Sequence, residues 1–317
     1  MLLVGKMAVL QGFCEAGDEM DGKLLIIGST CVDVVIPLER LPVTGEDLQS
    51  EKQTFTVGGT GWNVCRAAML TGVKPVFLSP VGGGPYGQQV EAAFARRGLE
   101  ILARPKGENG CCYCLVEADG ERTFLCVRGA EYEIRTEWLD SLQDSYGLCC
   151  INGMELQDSP TGDNILDWLE RHREIPVFYA PGPRGVLMEA ARQDRVMALK
   201  PIIHLNRQEA LTLSGAEEPA AAALALHRQT GNLVFVTLGP DGCICADRHG
   251  GLLQIPGVPT TVADTIGAGD THAGVVLGCL YQGKDLKTAI QLANRVAAEV
   301  VSRVGADIPE TLDQFGG

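Results

Sequence analysis

The sequence predicts a three-layer α/β protein, with a mostly parallel central sheet and helices on both faces. Short apolar runs alternate along the chain with segments of helical spacing, as repeated strand–helix units do. Glycine-rich stretches follow several of those runs, where strand-to-helix loops belong. With 317 residues, 45% of them hydrophobic and 21% charged, the chain can bury one large core.

In order, KLLIIGST (23–30) reads as a central strand, followed by a less regular stretch. TFTVGGTGWN (54–63) leads into a helix over NVCRAAMLTG, then PVFLSPVG is a strand and a helix runs from about Gly87 to Arg97. CCYCLVEADGERTFLCV (111–127) has the turn pair Asp119-Gly120 at its middle and reads as a hairpin that leaves the main sheet. Alternation resumes with the strand YGLCCING, the helix DNILDWLERHR and the strands PVFYA and KPIIHL. RQEALTLSG and the alanine-rich AEEPAAAALALHRQTG are helices, and NLVFVTLG is a strand. CICAD and LLQIP form a small antiparallel region, and two helices follow from Gly267, the first with Val275, Leu277 or Gly278, and Leu280 or Tyr281 on one buried stripe.

A net charge of −14 disfavours nucleic acid and anionic membranes as partners. The cysteines number twelve, but they cluster, as in Cys111/Cys112/Cys114, Cys149/Cys150 and Cys243/Cys245, which suits small buried side chains in a reducing cytoplasm better than a disulfide framework. Cys111 and Cys114 form a C-x-x-C, but no second pair stands at zinc spacing. No run reaches transmembrane length. Residues 1–22 read as a disordered extension without a signal-peptide cleavage site, and patterned sequence begins at about 23.

Ligands of such sheets bind beyond the carboxyl ends of the strands. Four loops there carry chemistry: Gly58-Gly59-Thr60-Gly61-Trp62-Asn63, Asn206-Arg207-Gln208-Glu209, Thr237 to Gly242, and Asp264 to Asp270 (DTIGAGD). Neither a P-loop nor a dinucleotide fingerprint is present. Gly267, Ala268 and Gly269 at a helix start would aim free amides at one point, an anion hole. Asp270 beside it suits proton removal from an attacking hydroxyl; standing alone, it reads first as an acid placed by the helix dipole.

Taken together, DTIGAGDTHAG and GGTGWNVCRAAMLTG resemble the two signatures of the ribokinase-like (PfkB) carbohydrate kinases, with IIGSTCVD, NRQE and VTLGPDG matching minor family positions from about Lys23 to Gly305. The resemblance implies the ribokinase-like fold over 23–317, with a small β lid formed by about 33–57 and 110–128. It implies ATP-dependent phosphorylation of a sugar-like hydroxyl, with Asp270 as base and Gly267, Ala268 and Gly269 as anion hole. Asn206 and Glu209 would position Mg²⁺ through water; without the other motifs they read as a helix cap and a solvated acid. Asn206, Thr237, Gly239, Gly242, Gly269 and Asn294 would serve the nucleotide. Asp33, Gly58, Gly59 and Asn63 would serve the sugar, with Trp62, Glu155, Arg128 and Arg184 as further candidates. As in several members, K⁺ would lie at Asp264, Ile266, Val300, Arg303 and Gly305, and the lid strands would dimerise.

The chain also departs from ribokinase proper at Cys31, Thr60 and Trp62, which puts ribose itself in doubt. Trp62 either stacks on a substrate ring or packs beneath the lid. Arg184 remains where sugar-acid and fructose kinases carry D-P-N-x-R, but Ala180 and Gly182 replace the acid and the asparagine. A nucleoside kinase and a noncatalytic sugar or nucleotide sensor are the competing readings.

Overall fold

The structure, a computed structural model, describes residues 20–303 and 311–312. The chain runs through β1 (Lys23–Ile27), β2 (Cys31–Pro37), β3 (Thr54–Gly58), α1 (Thr60–Leu70), β4 (Val76–Leu78) and α2 (Gly84–Arg97). The hairpin β5 (Cys111–Val116) and β6 (Arg122–Val127) precedes α3 (Thr136–Asp140) and β7 (Tyr146–Asn152). Next come α4 (Gly153–Leu156), α5 (Thr161–Arg171), β8 (Val177–Ala180), α6 (Gly182–Gly185), α7 (Ala190–Ala198) and β9 (Ile202–Asn206). The chain closes with α8 (Arg207–Ser214), α9 (Pro219–Thr230), β10 (Val234–Thr237), β11 (Cys243–Ala246), β12 (Leu252–Ile255), α10 (Ala268–Tyr281) and α11 (Leu286–Val301).

The main sheet has the order β12-β11-β10-β9-β8-β7-β1-β4, parallel from β4 to β10 and antiparallel at β11 and β12. Alternate side chains feed two cores. Leu24, Ile26, Cys150, Phe178 and Phe235 face α1, α10 and α11, whereas Leu25, Ile27, Cys149, Ile151 and Val236 face α5 and α9. Cys149 and Cys150 thus fill opposite layers, and all described cysteines are free thiols, as clustering on strands suggests.

A second sheet, β3-β2-β5-β6, stands off the first. It coincides with the segments expected to form a lid, except that β2 begins at Cys31, in a stretch that reads as irregular. No helix is legible between β8 and β9, because α7 buries only Arg192 and Val196 and is otherwise mostly alanine and polar residues. The expected disorder through residue 22 gives way three residues earlier: the Met20 amide donates to Tyr281 O (3.1 Å) and Tyr281 Oη donates to Gly22 O (2.8 Å). The remainder of that expectation lies outside the described residues.

α10 is buried on every side from Thr271 to Leu280, not along one stripe, because α1 and α11 both lie against it. Two glycines permit this approach. A Cβ at Gly274 would stand 2.4 Å from Val64 O, and one at Gly278 would stand 2.3 Å from Thr71 Oγ1. Substituting Gly274 by valine is expected to cost at least about 1–3 kcal/mol, since neither helix can shift without disturbing the core. Thermal denaturation reads this directly, and an unchanged midpoint would contradict the packing argument.

Candidate active site

The carboxyl ends of β1, β7, β8, β9 and β10 open on one side of the sheet, and the start of α10 lies there. Gly267 caps that helix with φ 72°, a left-handed conformation that favours glycine. The first intrahelical bond runs from the Thr271 amide to Gly267 O (2.8 Å), while the Ala268 amide turns back to Thr265 O (3.3 Å). The amides of Gly267, Gly269 and Asp270 are therefore open at this helix end among the described residues, whereas that of Ala268 is taken. Gly269 has no such constraint: a Cβ there would meet nothing within 4 Å. The fold requires glycine at 267, while at 269 it leaves open space beside the free amides.

Asp270 is half-buried on the first turn of α10, and its Oδ2 accepts from Asn63 Nδ2 of α1 at 3.1 Å. Burial pushes its carboxyl up to about 6 despite that hydrogen bond. Asp33, on β2, is also pushed up to about 6, by burial and then by the charge of Asp270. The glycines of the first signature make this geometry possible. A Cβ at Gly58 would lie 2.1 Å from Asp33 Oδ2, Gly59 has φ 101°, and a Cβ at Gly61 would lie 2.7 Å from Gly28 Cα. Here α1 meets the end of β1 backbone to backbone.

Glu155, on α4 just beyond β7, is fully buried. Its Oε1 accepts from the amide and the hydroxyl of Ser29 at 2.8 and 2.7 Å, and Oε2 has no partner among the described residues. Burial raises its pKa, the Ser29 bonds oppose this, and the Asp270 charge adds to it. Asn206 and Glu209 form a reciprocal capping box: the Glu209 amide donates to Asn206 Oδ1 (2.9 Å) and the Asn206 amide donates to Glu209 Oε2 (3.0 Å). Glu209 is buried, not solvated as a simple cap would have it; burial raises its pKa, and the Asp270 charge contributes. Asp33, Glu155, Glu209 and Asp270 therefore sense one centre, with no ion pair to a basic side chain among the described residues. Such a donor set suits a hydrated hard cation such as Mg²⁺, with Asn206 and Glu209 closest to that role.

Thr237 ends β10, donating from Oγ1 to Leu205 O (3.3 Å), and Gly239 and Gly242 shape the turn beyond it with φ 63° and 91°. This turn borders an open cleft shared by Leu238, Pro240, Asp241, Pro256 and Gly257. Asn294 is buried instead of facing that cleft. Its Nδ2 donates to Pro256 O (3.0 Å) and its Oδ1 pairs with His272 Nε2 (3.1 Å). His272 Nδ1 lies 2.8 Å from His204 Nε2. With the amide fixed this way, His272 Nε2 and His204 Nε2 are the protonated nitrogens. Both rings are neutral: burial lowers His204 well below its usual range and His272 to about 4. Nothing in the spacing of two histidines 68 residues apart announces this chain.

Trp62 stacks on Phe94 of α2 with centroids 5.5 Å apart and planes 4° from parallel, and it is 2% exposed. Of its two sequence-based alternatives, the structure realises packing beneath β3. Arg128 pairs with Asp158 and lies over the Tyr132 ring. Arg184 is half-buried on α6, close enough to Cys126 for its charge to act on that thiol.

The cation expected at Asp264 does not fit. Asp264 Oδ1 accepts from the Ile266 amide (2.8 Å), and Oδ2 lies 2.7 Å from Nη2 of Arg122, with the Asp264 side chain 1% exposed. Val300 O accepts from the Arg303 amide (3.1 Å), the Arg303 guanidinium pairs with Glu299, and Gly305 lies outside the described residues.

The electrostatic coupling of the site can be read from titration. Replacing Asp270 by asparagine is expected to lower the midpoint of Asp33 from about 6, because one of its two raising causes is removed. Carboxyl carbon NMR measures this, and an unmoved Asp33 would separate the two acids.

Three comparisons place this geometry among known proteins. Over 308 residues, 92% of each chain, it is 33% identical to an uncharacterised sugar kinase, YegV, of Escherichia coli. Over 291 residues, 88% of this chain and 90% of the other, it is 26% identical to the pseudouridine kinase of Escherichia coli. It superposes with a TM-score of 0.73 at 20% identity on Arabidopsis thaliana ribokinase complexed with ribose and ATP, covering 90% and 95% of the two chains. Residues 21–312 match the pfkB family carbohydrate kinase as a whole. The chain belongs to that family, and it is a phosphotransferase acting on a sugar hydroxyl.

Proposed function

We propose that this kinase transfers the γ-phosphoryl group of ATP to a hydroxyl of a small sugar or sugar acid. The observation that carries this is the meeting of a raised carboxyl, Asp270, with the open amides of Gly269 and Asp270 at one helix end. Asp270 takes the proton of the attacking hydroxyl, and the amides hold the phosphoryl oxygens as they gain charge. Asn63, bonded to Asp270, fixes the orientation of the base. Asp33, Asn63 and Glu155 face the hydroxyls of the acceptor; Asn63 Oδ1 and Glu155 Oε2 are buried without partners, a cost of about 1–3 kcal/mol each that hydroxyl donors would recover.

The nucleotide occupies the side of Thr237, Gly239 and the cleft beyond β10. Asn206 and Glu209 would hold Mg²⁺, which would neutralise phosphate charge. The ribokinase with ribose and ATP supports both ligands. The four-stranded sheet acts as a lid that keeps water from competing for the phosphoryl group. Phe55, Leu125 and Val127 stand exposed on it, the surface that a homodimer through the sheet would cover. Arg184, close to the substrate side of the lid sheet through Cys126, favours an acceptor carrying an acidic group. The pseudouridine kinase relative favours a second reading, in which the acceptor sugar carries a base.

ADP release across sugars, sugar acids and nucleosides, with wild type and Asp270→Asn, tests the reading. One class is expected to turn over, and the variant is expected to lose roughly 10²–10⁴-fold in kcat. Full activity in Asp270→Asn would remove the base assignment.

A further inference from the structure

The salt bridge between Arg122 and Asp264 joins two parts of the molecule that nothing in the sequence connects. Asp264 lies three residues ahead of the helix cap Gly267, its amide and that of Ala263 both donating to Val301 O at 3.1 and 2.7 Å. Its carboxylate is held on both oxygens, by the Ile266 amide and by Arg122. Arg122 belongs to β6, opposite Val116 at the turn end of the hairpin. The other end of that hairpin is anchored by Glu131, whose carboxylate accepts from the amides of Gly110 (2.7 Å) and Gly129 (3.0 Å). The hairpin is thus rooted at one end and touches the loop before α10 at the other.

Exposed ion pairs contribute little, but this pair is enclosed, at 17% and 1% side-chain exposure. A carboxylate buried so fully needs a counter-charge, and removing one partner of such a pair leaves the other uncompensated. The potassium ion that the family resemblance implies would have to approach the same carboxylate, which Arg122 already holds.

We infer that Arg122 is the resident monovalent cation of the loop leading into α10, so that the enzyme works without added K⁺, and that the same contact latches the four-stranded sheet over the site. Arg122 is then a positioning residue. It holds Asp264, Asp264 orders the Ile266 amide, and that loop sets the Gly267 cap and the open amides behind it. The guanidinium gives this loop a charge of fixed origin, present only when the hairpin is down. Loop order and sheet closure become one event, whereas a diffusible ion would leave them independent.

The inference rests on the kinase reading only for its turnover arm. The full chain is compared as wild type, Arg122→Gln and Arg122→Lys, in potassium chloride and in choline chloride of equal ionic strength. Three readouts are taken: Tl⁺ binding by calorimetry, as a probe for K⁺; the thermal midpoint; and ADP release. Wild type is expected to bind no Tl⁺ and to differ by less than about twofold in rate between the salts, whereas Arg122→Gln is expected to bind Tl⁺ and to lose roughly tenfold or more in choline, recovered by K⁺. Arg122→Lys keeps the charge and is expected to stay indifferent to the salt.

Tl⁺ binding by wild type, or a rise of about tenfold with K⁺, would overturn the inference. So would an Arg122→Gln chain indistinguishable from wild type in all three readouts. Should that variant fail to fold, the wild-type and Arg122→Lys arms decide on the same criteria. Absence of turnover with every acceptor counts against the kinase reading alone, because Tl⁺ binding and the thermal midpoint need no substrate.

Discussion

The close approach of α10 to α1 is the constraint on which the site depends. Gly274 and Gly278 leave no side chain where Val64 O and Thr71 Oγ1 come against the helix, so the two axes lie nearer than side chains of ordinary size would allow. At the other end of α1, Gly61 and Gly28 meet backbone to backbone and fix that helix on β1. Only then does Asn63, one turn into α1, reach Asp270, one turn into α10. The proposed base and the amide that orients it therefore meet through the packing of two helices. Precision of this kind is what catalysis by positioning needs.

Electrostatics then sets the chemistry. Four carboxylates sense one centre in a chain whose net charge is already −14, an unfavourable arrangement unless cations arrive with the substrate. The partial positive charge of the α10 N-terminus offsets some of this, and a metal–nucleotide complex would offset more. Burial raises Asp270 to about 6 against the Asn63 hydrogen bond, so it exchanges a proton closer to physiological pH than an exposed aspartate does. The two buried histidines, His204 on β9 and His272 on α10, add no charge, since burial keeps both neutral; they tie β9 to α10 and to Asn294 through hydrogen bonds.

The order of strands and helices, the stand-off hairpin and the small residues at the helix start were legible because they follow local rules: period, turn chemistry and glycine where backbones meet. The placement of Asp270 and its glycines at a helix start was legible for the same reason, the residues being contiguous in sequence. Contacts made only in three dimensions were not. Arg122 and Asp264 are 142 positions apart, and although Asp264 stands in a signature loop, Arg122 looks like an ordinary surface charge. Ser29 reads as part of a strand end, yet it holds Glu155. Asn294 illustrates the opposite error: it matched a nucleotide position, but tertiary packing commits its amide to His272 and Pro256. Trp62 likewise offered an aromatic face that Phe94 takes up.

The account stands on Asp270 acting as a base whose proton affinity is set by burial. The most direct measurement is kcat/KM for the acceptor substrate against pH. Its carboxyl is raised to about 6, so the base form is lost as pH falls through that value. The account predicts a plateau above about pH 7 and a steep decline below the midpoint. A profile flat from about pH 5 to 8 would contradict it, for it would mean that no group near 6 has to be ionised for transfer to occur.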